Sequence, residues 1–172
     1  MIRICFHGAE STGKSVLAEK LAADLGLPLV AEYGREYAEA RGTVFAMDDL
    51  LAIAEGHEAR VQAVEASGAP VCLLDTDPLM TAAWAAMLFG EVPDALLAYP
   101  KADLYLLFEA DVPWVEDGTR LFGTSPERTR FAATAEAMLE RAGVRYERVS
   151  GSWGEREAAV RAAVQRAVTV TM

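Results

Sequence analysis

The chain has 172 residues, 52% of them hydrophobic and 24% charged, and its formal net charge is −10. This length and composition are typical of one globular domain over residues 1–172, and the acidic balance excludes a general nucleic-acid binder. Met1 leads directly into a predicted strand, and no apolar run approaches the roughly 20 residues of a membrane span. We therefore expect a cytoplasmic protein with neither a membrane nor a nucleic-acid partner.

A complete G-x-x-x-x-G-K-S phosphate-binding loop occupies residues 8–15. It lies between an apolar run at 2–6, which predicts a strand, and an amphipathic stretch at 14–25, which predicts a helix. The two glycines let the backbone curl so that N–H groups face a polyphosphate, the lysine reaches the β- and γ-phosphates, and the last serine can ligate Mg²⁺. The loop predicts binding of ATP with Mg²⁺ through eight residues: Gly8, Ala9, Glu10, Ser11, Thr12, Gly13, Lys14 and Ser15.

Strands and helices alternate along the rest of the chain. Further strands are predicted at residues 28–31, 71–75, 104–108 and 144–149. Further helices are predicted at 33–40, from a cap at Asp48 or Asp49 through Val64, at 78–89, from Ser125-Pro126 to just before Gly143, and at 155–168. This order predicts an α/β protein with the three-layer P-loop NTPase fold, a central parallel sheet and a lid like that of nucleoside and nucleotide kinases. The carboxyl ends of the strands, at Gly8, Glu32, Asp75 and Glu109, are expected to meet at one edge.

Two acidic residues follow the third predicted strand. Asp75 ends this strand beside the phosphate loop, the expected place of a carboxylate that holds Mg²⁺ together with Ser15. Asp77 could point to the same side and act as general base, orient an acceptor hydroxyl or bind a sugar. Alternatively, Asp77 only caps the helix that begins near Pro78.

Residues 32–37, Glu-Tyr-Gly-Arg-Glu-Tyr, follow the second predicted strand. Glu32 is a candidate to bind or deprotonate a ribose hydroxyl, Arg35 to bind an anion, and Tyr33 to contact the same substrate. The alternative is a solvated, salt-bridged start of a helix.

Residues 111–126 are polar and turn-rich, and with the arginines around them they predict a lid over about 111–130. Arg120 is expected to stabilise charge on the transferring phosphoryl group, Arg128 to contact the nucleotide, and Arg130 is a further candidate. The alternative for each is an ordinary surface arginine. Trp114 either stacks on a substrate ring or anchors the lid by packing.

The remaining tryptophans, histidines and cysteines are predicted to be structural: Trp84, Trp153, His7, His57, Cys5 and Cys72. The histidines and cysteines lack the spacing of metal ligands, and the cysteines lie in predicted core strands, as expected of buried thiols in a reducing compartment.

Four segments together resemble the ribosylnicotinamide kinase domain of bacterial NadR-type proteins, within the P-loop kinase superfamily. They are residues 8–15, residues 32–37, Asp75-Thr76-Asp77, and Pro-Trp-Val-Glu-Asp-Gly-Thr-Arg at 113–120. Their order and spacing agree with that family over nearly the whole chain. The second and fourth segments discriminate more sharply than the phosphate loop, which is generic.

The resemblance implies ATP- and Mg²⁺-dependent phosphorylation of the 5′-hydroxyl of nicotinamide riboside, which yields nicotinamide mononucleotide for NAD biosynthesis. Together with the residue-level reasoning, it predicts five catalytic residues: Lys14, Glu32, Asp75, Asp77 and Arg120. Many NadR-type proteins add an adenylyltransferase domain and some a DNA-binding domain. Since this chain begins at the first kinase strand, we expect it to lack both functions.

Two alternatives stay open at this point. The acceptor could be another nucleoside or a nucleotide, or the protein could be a regulatory ATPase or switch that acts on a partner protein. The absence of an Asn-Lys-x-Asp string disfavours a GTP switch. The sequence leaves open the oligomeric state and which of the three carboxylates acts as base.

Overall fold

The protein is described by a computed structural model over residues 1–169, which contain five strands and seven helices. The strands are β1 (Ile2–His7), β2 (Leu29–Val30), β3 (Val71–Asp75), β4 (Leu104–Phe108) and β5 (Tyr146–Val149). The helices are α1 (Lys14–Leu25), α2 (Tyr33–Arg41), α3 (Met47–Ala66), α4 (Pro78–Phe89), α5 (Asp94–Ala98), α6 (Ser125–Ala142) and α7 (Trp153–Thr169).

All five strands run parallel in one sheet of order β2-β3-β1-β4-β5, which places β1 at the centre. Side chains alternate along β1 between the two faces of the sheet. Ile4 and Phe6 pack in one cluster with α1 and α7, whereas Cys5 packs in another with residues of α3, α4 and α6. The predicted three-layer α/β fold is confirmed, and both cysteines are buried and unpaired, as expected.

Most predicted elements are confirmed, with ends that differ by one or two residues. Helix α5 was not predicted, because its five residues are too few for a helical period to be visible in the sequence. The predicted cap of α3 at Asp48 or Asp49 is wrong, since the helix begins at Met47. Asp49 lies inside the first turn, where its carboxylate accepts the Ala46 N–H at 2.7 Å.

The sequence predicts Ser125 and Pro126 as the N-cap and first-turn residues of α6, but Ser125 is already its first helical residue. Its N-cap is Thr124 rather than Ser125, because the Glu127 carboxylate accepts both the Thr124 N–H at 3.1 Å and the Thr124 hydroxyl at 2.6 Å. Since the Thr124 side chain also accepts from the Glu127 backbone N–H, the two residues form a capping box that fixes where the helix begins.

The connection between β4 and α6, residues 109–124, contains no helix or strand. Most of the predicted lid therefore lies in irregular backbone, and its last residues, 125–130, lie in α6. Among residues 1–169, no helix combines the length and the apolar character needed to cross a membrane.

Candidate active site

The phosphate loop joins the end of the central strand β1 to the start of α1, and its two glycines are required by geometry. Gly8 has a φ of +130°, and a Cβ there would lie 2.6 Å from the Phe108 carbonyl oxygen of the neighbouring strand. Gly13 has a φ of +87°, and a Cβ there would overlap the ring of Trp153. Both positions therefore exclude any side chain, and the loop is held close to β4 and to the start of α7.

Lys14 lies across this loop rather than in solvent. Its Nζ donates to the Ala9 carbonyl at 2.6 Å, and the Thr12 hydroxyl donates to the same oxygen at 2.9 Å. Burial lowers the pKa of Lys14, while the charges of Glu32, Asp75 and Glu10 oppose this shift. The ammonium therefore lies inside the loop and donates to a backbone carbonyl. Phosphate oxygens would be stronger acceptors for it than this carbonyl.

Ser15 and Asp75 meet as predicted for a metal site. The Ser15 side chain lies close enough to Asp75 to oppose the rise in the pKa of its carboxyl, and Asp75 Oδ1 is buried without a hydrogen-bond partner among the described residues. Burial, and secondarily the charge of Glu32, raises the pKa of Asp75. An unpaired buried carboxylate oxygen beside a hydroxyl fits the oxygen ligands that Mg²⁺ prefers, so these two residues suit the ion.

Asp77 has a different environment from Asp75. Its Oδ1 accepts the Leu79 N–H at 3.0 Å as the N-cap of α4, and its Oδ2 accepts the Tyr105 hydroxyl at 2.5 Å. Burial raises its pKa to about 6. Thr76 explains the divergence, because its φ of +70° breaks the extended alternation that would place both carboxylates on one side. The geometry supports the capping alternative, and a catalytic or substrate-binding role of Asp77 stays a prediction.

A single cleft runs from the phosphate loop to an apolar end built from helices. Glu32, Arg35, Lys14 and Arg120 line its polar part. The apolar end is lined by side chains from helices α3, α4 and α6 and from the chain before α3: Phe45, Leu50, Ile53, Met80, Trp84 and Phe131. The cleft therefore offers one space with a charged half and an aromatic half.

The aromatic end rests on ring contacts between distant segments. Trp84 packs against Phe131 with ring centroids 5.0 Å apart and against Phe122 at 5.2 Å, and Phe45 lies 6.4 Å away. Trp84 was predicted to be structural, and it also lines the cleft. No sequence signal marks this site, because its rings come from separate parts of the chain.

The lid rests on the phosphate loop. The Glu10 carboxylate accepts the N–H groups of Leu121 and Phe122, both at 3.2 Å, and the Ser11 hydroxyl accepts the Val115 N–H at 2.8 Å. Burial raises the pKa of Glu10, although these two N–H groups oppose the shift. Glu10 and Ser11, two residues predicted to bind nucleotide, therefore also hold the predicted lid against the phosphate loop.

An ionic chain connects the lid to helix α2. Asp117 accepts from Arg35 Nη1 at 2.8 Å and lies 3.2 Å from Arg120 Nε, and Arg35 Nε lies 3.6 Å from Glu32. Partial burial opposes ionisation of Asp117, but the hydrogen bonds from Arg35 and Thr119 lower its pKa to about 2. The predicted residues Glu32, Arg35 and Arg120 are thereby brought together at the cleft.

The residues predicted for the site that lie outside the lining of the cleft are Ala9, Asp75, Asp77, Tyr33, Trp114, Arg128 and Arg130. Tyr33 packs on α3, where a Cβ on Gly56 would overlap its ring. Trp114 lies beneath two lid arginines, 5.6 Å from the Arg128 guanidinium, and Arg128 donates to the Val112 carbonyl at 2.9 Å. These contacts support packing within the lid for Trp114 and Arg128, and their substrate and nucleotide roles stay predictions. Arg130 is exposed on α6.

A buried cluster beneath the loop was not foreseen from sequence spacing. Cys5, His7 and Asp77 offer potential ligand atoms within 4.8 Å of one another. Both Asp77 oxygens already accept hydrogen bonds, and His7 Nε2 contacts the Ala135 carbonyl at 2.9 Å. These contacts assign the cluster to the hydrogen-bonded core, in agreement with the structural role predicted for His7.

A protein-family model described as an AAA domain matches residues 3–156. The chain is 35% identical over 153 residues to the trifunctional NAD biosynthesis/regulator protein NadR of Escherichia coli (strain K12). It is 34% identical over 150 residues to the NadR protein of Salmonella typhimurium (strain LT2). These alignments cover 85% and 83% of this chain but 37% of each relative, so the chain spans little more than a third of their length.

Solved structures show the same fold. A NadR protein in complex with NAD and AMP-PNP superposes with a TM-score of 0.74 at 22% identity, over 96% of this chain and 49% of that one. Thymidylate kinase from Ehrlichia chaffeensis superposes with a TM-score of 0.69 at 13% identity, over 97% and 98% of the two chains. The resemblance to NadR-type proteins and the P-loop kinase fold are thus confirmed.

Proposed function

The chain belongs to the AAA domain family, and from this premise we propose that it is an ATP- and Mg²⁺-dependent nucleoside kinase whose acceptor is nicotinamide riboside. The product would be nicotinamide mononucleotide, a precursor in NAD biosynthesis. The similarity to NadR over most of this chain supports the choice of acceptor.

The observation that carries the proposal is the continuity of the cleft. The phosphate loop, Glu32 and Arg120 line the same space as Trp84 and Phe131. A nucleotide with its phosphates in the loop and a nucleoside with its ring among the aromatic side chains would therefore meet between the two halves. A regulatory ATPase has no need of this second, apolar half.

The aromatic end suits a flat, positively charged ring. The lysine and arginine side chains that line the cleft, Lys14, Arg35 and Arg120, belong to its polar part. The faces of Trp84, Phe45 and Phe131 would attract the pyridinium of nicotinamide riboside by cation–π interaction as well as by apolar burial. This end also matches the flat shape of other bases, which is why the assay below includes them.

Transfer requires the β–γ P–O bond of ATP to break and a bond to form between the γ-phosphorus and the acceptor 5′-oxygen. Lys14 would leave the Ala9 carbonyl for the β- and γ-phosphate oxygens. Arg120 would face the charge that develops on the transferring group. The hydroxyl proton would pass to Glu32, which lines the cleft, or to Asp75, which ends the strand next to β1.

Mg²⁺ would be held by Ser15 and Asp75 and would neutralise charge on the β- and γ-phosphate oxygens. The unpaired Asp75 Oδ1 supports this assignment. The lid, held over the loop through Glu10 and Ser11, would keep water away from the γ-phosphate and so limit hydrolysis.

The test is an ADP-release assay with MgATP and a panel of nucleosides and nucleotides headed by nicotinamide riboside, with products identified by mass. We expect release that depends on nicotinamide riboside and yields nicotinamide mononucleotide. Turnover with a different nucleoside would retain the kinase and replace the acceptor. Slow release that no small acceptor changes, but a protein partner stimulates, would favour the switch.

A further inference from the structure

Arg156, near the start of α7, has no exposed surface and is the largest fully buried side chain among the described residues. A buried guanidinium is costly unless all its donors are satisfied. Sequence reasoning gave this residue no role. Its burial near the phosphate loop must therefore be accounted for by the groups that its guanidinium contacts.

The guanidinium of Arg156 joins three loops at the carboxyl edge of the sheet. Nη1 donates to the Thr12 carbonyl of the phosphate loop at 3.2 Å, and Nη2 donates to the Glu109 carbonyl after β4 at 3.0 Å. Nε donates to the Gly151 carbonyl before α7 at 2.9 Å. The Asp111 carboxylate, at the start of the lid, pairs with Nη2 and supplies the opposite charge.

The contact with Thr12 has a direct consequence for the phosphate loop. A peptide unit is planar and trans, so its C=O and N–H point in opposite directions. Because Arg156 holds the Thr12 carbonyl on the α7 side, the N–H of Gly13 in the same peptide unit points away from α7. In this loop type, that N–H is one of the groups that face the polyphosphate.

Gly13 is the residue at which this peptide could most easily rotate. It has a φ of +87° and no side chain to restrain it, and the ring of Trp153 lies where a Cβ would be. At the Gly8 end the loop closely approaches Phe108, and at the Gly13 end the Gly13 carbonyl accepts the Leu17 N–H of α1, while the Thr12 carbonyl of the preceding peptide accepts from Arg156.

We propose that Arg156 is a positioning residue for nucleotide binding, which fixes the Thr12–Gly13 peptide so that the Gly13 N–H faces the phosphates. The inference rests on the phosphate-loop part of the proposed function and is independent of which acceptor is used. Arg156 itself touches no substrate in this arrangement.

The test compares Arg156→Lys and Arg156→Met with Arg161→Met, a matched change one turn further along α7. Arg161 pairs with Asp24 and Glu157 at the surface, away from the phosphate loop. MgADP and nicotinamide riboside are titrated separately by calorimetry at 25 °C. Loss of a hydrogen bond from a charged donor corresponds to about a tenfold change in Kd.

We expect the Kd for MgADP to rise about tenfold in Arg156→Lys and further in Arg156→Met, with the Kd for nicotinamide riboside within about twofold of wild type. Arg161→Met should leave both constants unchanged. If Arg156→Met fails to fold, the Kd of Arg156→Lys for MgADP still tests the proposal. Wild-type MgADP affinity in a folded Arg156→Lys protein, with only a lower Tm, would overturn the proposal.

A spectroscopic readout separates positioning from general stability. In ¹⁵N-labelled protein, the Gly13 amide resonance should shift when MgADP binds, and this shift should shrink in Arg156→Lys but persist in Arg161→Met. An undiminished shift in Arg156→Lys would count against the proposal. If wild type binds MgADP but not nicotinamide riboside, the proposed acceptor fails while this test remains readable.

Discussion

The two halves of the cleft are built in opposite ways. The polar half is built mainly from consecutive residues of the phosphate loop, with Glu32, Arg35 and Arg120 beside them, and we propose that it binds phosphate through backbone N–H groups and Lys14. The aromatic half comes from Phe45, Trp84 and Phe131, which are far apart in sequence and act through their rings. The first half is therefore local and chemically fixed, whereas the second depends on how the helices pack. Substitutions should affect these halves separately, and the predictions below test that separation.

The largest effect is expected at Lys14. Lys14→Ala removes the cation that would face the β- and γ-phosphates, so turnover should fall about 10³-fold or more. Among the described residues, the hydrogen bonds of the Lys14 side chain go to Ala9 and Thr12 of the same loop, so circular dichroism should remain that of the folded protein. Acceptor-dependent ADP release measures the effect, and full activity in a folded Lys14→Ala protein would show that the loop assignment is wrong.

Asp75 and Asp77 form a matched pair in the same short segment. Asp75→Asn should lower turnover at least about 100-fold, because it removes a charge from the predicted Mg²⁺ site. Asp77→Asn keeps an oxygen for the Leu79 N–H and should change turnover no more than about threefold, with a lower Tm from the altered Tyr105 contact. A loss of activity that is larger in Asp77→Asn would restore Asp77 as the catalytic carboxylate.

The same pair predicts the pH dependence. Since burial raises the pKa of Asp75, its ionised fraction, and with it kcat/KM, should fall as the pH drops through a value above the ordinary carboxyl range.

The raised pKa of Asp77 affects stability, because the folded state then holds a proton that the unfolded chain has released. Its contribution to unfolding free energy falls as pH rises from about 4 to about 6. Asp77→Asn should flatten that part of a Tm–pH curve, and an unchanged slope would count against the assignment.

Arg120 and Arg128 are a second matched pair, on the lid. Arg120→Ala should lower kcat about 10²-fold because Arg120 lines the cleft beside the loop. Arg128→Ala removes a contact to the Val112 carbonyl and should alter kcat only a fewfold. Steady-state kinetics on both variants test the lid, and equal losses would mean that lid packing rather than charge at the cleft controls turnover.

The smallest expected effect concerns the aromatic half. Trp84→Leu should raise KM for the acceptor about tenfold while leaving KM for ATP within about twofold. Trp114→Leu, which changes a lid tryptophan outside the cleft lining, is the control and should leave KM for the acceptor near the wild-type value. If Trp84→Leu raised both KM values equally, the two halves of the cleft would not be separable.

Several features of the site could be predicted from the sequence. The phosphate loop, Asp75 at the end of β3 and Glu32 at the end of β2 follow from a motif and from the geometry of parallel strands. The divergence of Asp75 and Asp77 was not predictable, because it depends on a positive φ at Thr76, a residue that rarely adopts one. Arg156 was missed for another reason: in sequence it resembles the exposed arginines of α7.

The sequence by itself determined the order of strands and helices, the phosphate loop and the predicted pairing of Ser15 with Asp75. The first two depend on local hydrophobic patterns and on consecutive residues, and the pairing follows from the geometry of neighbouring parallel strands. Only the tertiary structure decided that Trp84, Phe45 and Phe131 share one end of the cleft, that Glu10 holds the lid, and that Arg156 holds the loop. Such contacts join residues up to 144 positions apart, and packing of the helices on the sheet, rather than any local pattern, brings them together.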